Sequence, residues 1–209
     1  TVVGSQANGL ARPDSDTDYR GIFLVPTSEI LSLQGSKKTT NWLEGKEDNT
    51  SYEMGHFLHL AIQCNPSVLE VLVAPVVEVT EEGKELKSLL WAFLDSERIV
   101  ASFCGYSHNQ QVKMLDNKDG KCWKYAVAYV RTLINAEILL REGTFSLSIP
   151  PVHIVMLKEI RDEIWTEGMI LDWCKTQEQT VKYWAKMVKR TQNLEAINEY
   201  LLKVRKANW

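Results

Sequence analysis

Residues 3–23 read VGSQANGLARPDSDTDYRGIF, and this stretch decides how the first part of the chain is interpreted. Gly4-Ser5 follows Val3, a polar segment comes next, and the run DYRGIFLV then stops at Pro26. Strands favour β-branched and aromatic residues and commonly stop at proline. The stretch therefore predicts a strand over residues 18–25, preceded by a glycine turn.

Further strands and helices are expected before residue 82. Asn65-Pro66 has the residue types of a helix N-cap and a first helical position. Apolar residues before and after this pair recur at helical spacing. The expected strands lie at 39–43 and 50–54, and the expected helices at 54–63 and 66–73.

Strand signals fade after residue 82, and long amphipathic stretches follow one another. Helices are expected at about 84–95, 97–116, 120–142, 152–165, 169–190 and 193–206. The predicted fold class is α+β. A small mixed-sheet domain at residues 1–82 is followed by an all-helical bundle domain at residues 83–209, which would complete a cleft.

Composition narrows the possible partners and the compartment. The 209 residues are 44% hydrophobic and carry a net charge of -3, so only a local basic face could attract a polyanion. Residues 182–206 hold seven bases and two acids, net +5. Four scattered cysteines and the lack of a long apolar run predict a cytoplasmic protein with reduced thiols and no membrane partner. Because the sequence starts without Met, we also expect an upstream segment.

Asp16 and Asp18 stand two residues apart at the start of the first long strand. Alternate side chains of a strand share one face, so we expect the two carboxylates to point the same way. Mg²⁺ prefers a few carboxylates together with substrate phosphate oxygens and waters. The pair therefore predicts a magnesium site, with Mn²⁺ as the alternative ion.

Other interpretations of this segment were compared with a metal site. A calcium-binding EF-hand loop fails because Tyr19 and Val25 stand where Gly and Glu are required. A P-loop fails because Leu10 and Ala11 stand where Lys and Ser or Thr are required. A polar turn with solvated aspartates stays open as the plain alternative.

The combination of Gly-Ser, a ten-residue gap and Asp-x-Asp before a strand resembles the signature of the DNA polymerase β-like nucleotidyltransferase superfamily. Two longer stretches, GSQANGLARPDSDTDYRGIF at 4–23 and YEMGHFLHLAIQCNPSVLEVL at 52–72, are similar to a nucleotidyltransferase family of bacteria and phages. That family is grouped with RNA-repair-associated enzymes. The helical remainder is similar only in general character. The resemblance implies a polymerase β-like palm in the first domain.

The resemblance also implies roles for particular residues. Gly4 and Ser5 would contact the triphosphate, and Asp16 and Asp18 would ligate the metal. A third carboxylate would come from a neighbouring strand. Glu53 fits that position between apolar residues, as a metal ligand or as general base for the acceptor hydroxyl. Asp48 is the alternative.

Cationic side chains would complete the triphosphate site. Arg20 follows the aspartate pair and could brace a phosphate with two hydrogen bonds, although a salt bridge to Asp14 or Asp16 is equally open. The resemblance implies further cationic contacts in the helical domain, where Trp123 and Tyr125 could stack on a base. Solvated helix faces and core aromatics are the alternatives. The basic candidates there are Lys113, Lys121, Lys124 and Arg131.

The function implied is transfer of a nucleoside monophosphate from a nucleoside triphosphate, such as ATP, to a hydroxyl acceptor with release of pyrophosphate. An RNA or tRNA end is the favoured acceptor, because the family's association suggests it and the basic C-terminal segment permits it. Protein adenylylation and transfer to a small molecule need the same donor site and stay open. A nucleotide- or partner-binding module that has lost catalysis is an alternative of a different class.

Overall fold

The computed structural model describes residues 1–13, 15–33, 35, 38–44, 47–118 and 120–209, with the side chains of residues 42–44, 47 and 48 outside this description. Its described residues form a small four-stranded mixed sheet and eleven helices. The α+β composition expected from the sequence is therefore observed. Every helix within the described ranges is too short or too polar to cross a bilayer.

The sheet has the strand order β1-β2-β4-β3. Its two central strands run parallel, and each edge strand is antiparallel to its neighbour. The three strands expected from the sequence are all present, with bounds that differ by a few residues. The strands are β1 (Val2–Val3), β2 (Asp18–Phe23), β3 (Thr39–Glu44) and β4 (Glu47–Glu53).

Short helices alternate with the strands, and every described element after β4 is a helix. The side chain of Asn65 accepts the backbone N–H of Ser67 at 3.0 Å, which confirms the expected cap. Pro66 occupies the first turn after it. These helices are α1 (Gly4–Asn8), α2 (Thr27–Ile30), α3 (Met54–Ile62), α4 (Pro66–Val73), α5 (Glu81–Ser88) and α6 (Leu90–Phe93).

Four longer helices follow, and one more lies near the C-terminal end of the described chain. They are α7 (Ser96–Asp116), α8 (Cys122–Glu142), α9 (Pro151–Arg161), α10 (Glu167–Met187) and α11 (Leu194–Ala207). Helix α8 packs against α7, α9 and α10, and its inner face buries Val130, Leu133 and Leu139. It ends at Gly143, which has a left-handed φ of 76° that suits glycine.

The chain divides into two compact units. Unit 1 comprises Thr1–Phe93 and Gln192–Trp209, and unit 2 comprises Leu94–Thr191. This differs from the boundary expected near residue 82, because α5, α6 and α11 all belong with the sheet. Tyr200 of α11 is buried and donates its hydroxyl hydrogen bond to the carbonyl of Glu82 at 3.0 Å. Such a contact joins residues more than a hundred positions apart, which helix periodicity does not reveal.

Candidate active site at the glycine turn

The glycine turn and the second predicted metal ligand meet in the structure. Val3 pairs with Asp18 across β1 and β2, so Gly4 follows directly beside that aspartate. Gly4 has a φ of 70°, and a β-carbon placed on it would collide with Oδ2 of Asp18. Glycine is needed here both for the backbone conformation and for the close approach. Two residues predicted from a spaced motif are therefore in contact.

The loop between α1 and β2 is held by local hydrogen bonds. The backbone N–H of Arg12 donates to the hydroxyl of Ser15 at 2.8 Å, and the N–H of Ser15 donates to the carbonyl of Arg12 at 3.0 Å. The side-chain amide of Gln6 donates to the carbonyl of Ser15. These bonds tie the residue before Asp16 to the helix that starts at Gly4. Asp14 lies outside the described residues.

Asp16 is placed differently from the expectation that it lies in a strand. Strand β2 begins at Asp18, and residues 15–17 are irregular. The reason is that β1 ends at Val3, where the chain turns into α1 and offers no partner to residues 16 and 17. Asp16 is exposed and Asp18 is half-buried. Both residues thus belong to the segment beside the glycine turn, but only Asp18 has a strand position.

The strand register separates Glu53 from Asp18. In the parallel pair β2 and β4, Phe23 is level with Glu53, five residues beyond Asp18. At about 3.3 Å per residue, the two levels lie roughly 16 Å apart along the strands. Side chains alternate between the faces of a sheet, so position 53 also belongs to the face opposite position 18.

The Glu53 carboxylate has a structural role at the start of α3. Oε2 accepts the backbone N–H of Gly55 at 2.8 Å and that of His56 at 3.4 Å, which caps the helix. Oε1 accepts a hydrogen bond from the guanidinium of Arg205, and both side chains of this ion pair are largely buried. A carboxylate with these donors has little capacity left for a metal ion. The structure therefore shows Glu53 as a helix-capping, ion-paired carboxylate, and its role as a metal ligand stays a prediction.

Asp48, the alternative third carboxylate, lies inside β4 and not outside the strand as the sequence suggested. Arg20 is level with Thr50, and continuing that register by two residues brings position 48 level with Asp18. Level positions on parallel strands share one face of the sheet. The side chain of Asp48 is outside the described part of the structure, so the strand position alone supports it.

Asn49 is a further polar residue of β4, next to the proposed site. Its side chain is fully buried, and its Oδ1 accepts the backbone N–H of Tyr19 at 2.8 Å, one residue after Asp18. Its Nδ2 has no hydrogen-bond partner among the described residues. Leaving such a donor unpaired costs about 1–3 kcal/mol. Asn is uncommon inside strands, so its position in β4 was the signal that could have marked it as a candidate site residue.

Arg20 lies on β2 next to a separate cavity. Its Nη1 donates to the carbonyl of Tyr19 at 2.8 Å. The cavity holds about 380 Å³ and is lined mainly by apolar side chains, among them Ile22, Val71 and Val77, and also by Lys87. Burial lowers the pKa of Lys87 below its ordinary value. Gly4, Ser5, Asp16 and Asp18 are not among the residues that line this cavity.

The predicted cationic contacts of the helical segment all belong to unit 2. The ammonium of Lys113 on α7 lies 5.6 Å from the ring centroid of Tyr125 on α8, a cation–π contact. Lys121 immediately precedes α8, and Arg131 lies near its middle. Lys113 and Lys121 are exposed, and Arg131 is half-buried. A triphosphate role for these side chains stays a prediction.

The described side chains do not by themselves form a closed metal site. Among them, no three His, Cys, Asp or Glu side chains lie close enough together to hold an ion. Mg²⁺ is usually held by one or two carboxylates, with substrate phosphates and waters filling the other positions. Asp18 beside the glycine turn supplies one such carboxylate, and Asp16 as a second stays a prediction.

Comparison with known protein families matches residues 1–203 to the RNA repair pathway DNA polymerase beta family. The chain belongs to this family. The resemblance to polymerase β-like nucleotidyltransferases is thereby confirmed. Within the RNA repair pathway DNA polymerase beta family, Gly4, Ser5, Asp16 and Asp18 of this chain are the proposed donor-site residues.

One curated relative is an uncharacterized 38.9 kDa protein encoded in the nrdC-mobD intergenic region of Enterobacteria phage T4. It is 28% identical over 127 residues, which cover 54% of this chain and 37% of the phage protein. The match therefore spans little more than a third of the length of that relative. No solved structure matches the chain.

Proposed function

We propose that this member of the RNA repair pathway DNA polymerase beta family transfers a nucleoside monophosphate from a nucleoside triphosphate to a hydroxyl of an RNA end. The observation that carries the proposal is the contact between Gly4 and the Asp18 carboxylate. It joins the two halves of the family signature in one place. The charge balance at that contact also supports a divalent cation.

A triphosphate bound along the backbone of Gly4 and Ser5 would lie next to a carboxylate. Two groups of the same charge at such a distance repel each other by several kcal/mol where water is partly excluded. A divalent cation between them turns that repulsion into attraction on both sides. The arrangement therefore favours a metal-dependent enzyme, with Mg²⁺ held by Asp16 and Asp18 and Mn²⁺ as a substitute.

The residues of the chain would act mainly by binding and orientation. Gly4 allows the backbone to approach the phosphates, and the Ser5 hydroxyl donates a hydrogen bond to them. The acceptor hydroxyl oxygen forms a bond to the α-phosphorus, and the bond from that phosphorus to the bridging oxygen breaks. Pyrophosphate leaves, and water takes the hydroxyl proton. When bound, Mg²⁺ supplies charge neutralisation to the attacking and leaving oxygens.

Asp48 is the third carboxylate that we favour. The continued register of β2 and β4 supports it, and the contacts of Glu53 with Gly55, His56 and Arg205 count against Glu53. Arg20 stays a proposed phosphate contact, because its strand position is on the same face as Asp18.

One labelling experiment tests the function and separates its alternatives. The full chain is incubated with each α-labelled nucleoside triphosphate and Mg²⁺, in the presence of RNA, of cell protein, of small hydroxyl compounds or of nothing. Label in RNA is the expected result. Label in protein would favour protein adenylylation, and label in a small compound would favour a small-molecule acceptor. The absence of label, together with no Mg²⁺-dependent thermal stabilisation by triphosphate, would favour a binding module without catalysis.

Variants connect the label to the proposed site. Asp16→Asn and Asp18→Asn should each lower the transfer rate by about 100- to 1,000-fold, the range typical for losing a group that stabilises developing charge. Glu29→Gln is the matched control, since Glu29 is an exposed carboxylate of the same unit on α2. If both aspartate variants label RNA as fast as this control, the site assignment is wrong.

A further inference from the structure

The two units of the chain differ in charge. Unit 1 contains ten bases and fifteen acids, net -5, whereas unit 2 contains fourteen bases and twelve acids, net +2. Nucleic acid binds to proteins mainly through phosphate charges, so unit 2 is the better place for its backbone. Within unit 2, residues 113–131 hold five bases and two acids, net +3.

Three of the seven cations in the basic C-terminal segment expected to contact RNA make contacts with distant parts of the chain. Arg205 pairs with buried Glu53, and Lys203 pairs with Glu85 at 2.7 Å. The guanidinium of Arg190 donates to the carbonyls of Leu140 at 3.0 Å and Arg141 at the end of α8. These three contacts interrupt the segment as a continuous polyanion surface. The structure thus directs attention from residues 182–206 to the end of α7 and the start of α8.

Helix geometry gathers the cations of this second segment on one face. Lys124 and Tyr125 lie three and four residues after Lys121, which immediately precedes α8, and Arg131 lies seven residues after Lys124; these are spacings that share a helix face. Lys113 on α7 reaches this face through its contact with the ring of Tyr125. We call the surface formed by these five residues the hairpin face. Its extent from Lys121 to Arg131 is about 15 Å along α8, at 1.5 Å per residue.

That length suits a nucleic-acid strand better than a triphosphate. A nucleic-acid strand carries one charged phosphate per nucleotide along its whole length, so several of its phosphates can follow the hairpin face. The three phosphates of a nucleotide are joined directly through bridging oxygens and cover a shorter distance. Tyr125 holds the Lys113 ammonium from below, which orients a flexible side chain before it meets a ligand.

We propose that the hairpin face binds the phosphate backbone of single-stranded RNA that serves as acceptor. The choice of RNA as ligand rests on the proposed function. Binding can nevertheless be measured without nucleotide transfer. The exposed lysines at positions 113, 121 and 124 contact phosphates, and Tyr125 acts as a positioning residue for Lys113.

The binding test uses the full chain and a short fluorescein-labelled oligouridylate, with fluorescence anisotropy read over a range of salt concentrations and without triphosphate. Removing two phosphate contacts with Lys113→Ala and Lys124→Ala should lower the slope of log K against log salt by about 1.4, since each contact to a single strand contributes about 0.7. The double variant should bind roughly 20-fold more weakly at about 0.1 M salt.

The matched control is the double variant Lys158→Ala and Lys175→Ala. Both lysines are exposed in unit 2, and the change in net charge is the same. This control should keep the wild-type slope. If the two double variants lose equal amounts of slope, or if neither loses any, the hairpin face is not the RNA site.

The role of Tyr125 has a separate readout. Tyr125→Phe keeps an aromatic ring below Lys113 and should bind RNA like the wild type, whereas Tyr125→Leu should bind several-fold more weakly at unchanged thermal stability. Equal binding by these two variants would remove the positioning role. Competition with poly-glutamate at equal charge is a further arm, and competition as strong as that of unlabelled RNA would overturn the proposal in favour of an acidic protein partner.

Failure of this inference can be told apart from failure of the proposed function. Asp18→Asn should lose transfer and keep RNA affinity, because Asp18 belongs to unit 1 and the hairpin face to unit 2. RNA binding that depends on Lys113 and Lys124 without any transfer would support the surface and reject the enzyme. Transfer to RNA, together with RNA binding that does not depend on these lysines, would support the enzyme and reject the hairpin face as the RNA site.

Discussion

Asp18 lies so close to Gly4 that a single added carbon at position 4 would meet Oδ2 of its carboxylate. Gly4 also has a positive φ, as does Gly9 at the end of α1 with a φ of 72°. A β-carbon at Gly9 would have no atom within 4 Å. The two glycines thus share the same backbone demand, and only one of them contacts the proposed metal ligand.

Gly4→Ala and Gly9→Ala separate these two effects. Both variants should lose about 1–2 kcal/mol of unfolding free energy from the left-handed conformation, as measured by urea unfolding. Gly4→Ala should in addition displace Asp18 and abolish RNA labelling, while Gly9→Ala labels RNA at close to the wild-type rate. Normal labelling by Gly4→Ala would mean that the Gly4–Asp18 contact does not matter for transfer.

The two candidates for the third carboxylate give opposite expectations. Asp48→Asn should reduce transfer as strongly as Asp18→Asn, because it removes a charge from the same strand level. Glu53→Gln should retain transfer per folded molecule, measured at a temperature at which circular dichroism shows both variants folded. The reverse outcome would return the catalytic role to Glu53.

The ion pair between Glu53 and Arg205 should contribute strongly to stability. The two side chains are 7% and 14% exposed, so removing one partner leaves a buried charge without compensation. Glu53→Gln is expected to cost about 3–5 kcal/mol of unfolding free energy. The matched control is Glu85→Gln, which breaks the much more exposed pair with Lys203 and should cost about 1 kcal/mol or less. Similar losses in the two variants would contradict this account.

Stability should fall in alkaline solution because of a buried thiol in unit 2. Burial raises the pKa of Cys174 from its ordinary value of 9.0 to about 12. Above pH 9.0 the unfolded chain releases the thiol proton, whereas the folded chain keeps it. The contribution of this thiol to the free energy of unfolding is therefore complete below pH 9.0 and is lost as the pH rises toward 12. Between these two pH values, this thiol should lower the free energy of unfolding by about 1.4 kcal/mol per pH unit.

Urea unfolding at a series of pH values checks this expectation. Cys174→Ala should be less stable at neutral pH, because it leaves a cavity, and should show a shallower alkaline decline. Burial also raises the pKa of Cys104, to about 11, so this thiol adds to the loss of stability at alkaline pH. An identical decline in Cys174→Ala and in the wild type would assign the effect to other groups, such as Tyr129, whose pKa burial also raises.

Local patterns predicted the elements well, since their causes are local. Helix α4 was predicted because Asn65 and Pro66 mark its start within the sequence itself. The role of Glu53 was less accessible, because a capping carboxylate and a metal ligand can have the same sequence neighbours. Only its contact with Arg205, far along the chain, distinguishes them.

The same reason explains why the two compact units divide the chain elsewhere than near residue 82. The periodicity of α11 predicted a helix of nearly the right length, but no periodicity states which unit a helix joins. Its membership depends on contacts such as Tyr200 with Glu82 and Thr27 with Arg205. Likewise, strand β2 starts at Asp18 and leaves Asp16 outside because β1 is so short, and this depends on a partner strand.

The return of α11 to unit 1 has a consequence for synthesis on the ribosome. Unit 2 is one uninterrupted stretch, so all of its helices have been translated before the last segment of unit 1 is made. Domains commonly begin to fold while the chain is still growing. The sheet and its glycine turn therefore remain without α11 during synthesis, while unit 2 can already fold.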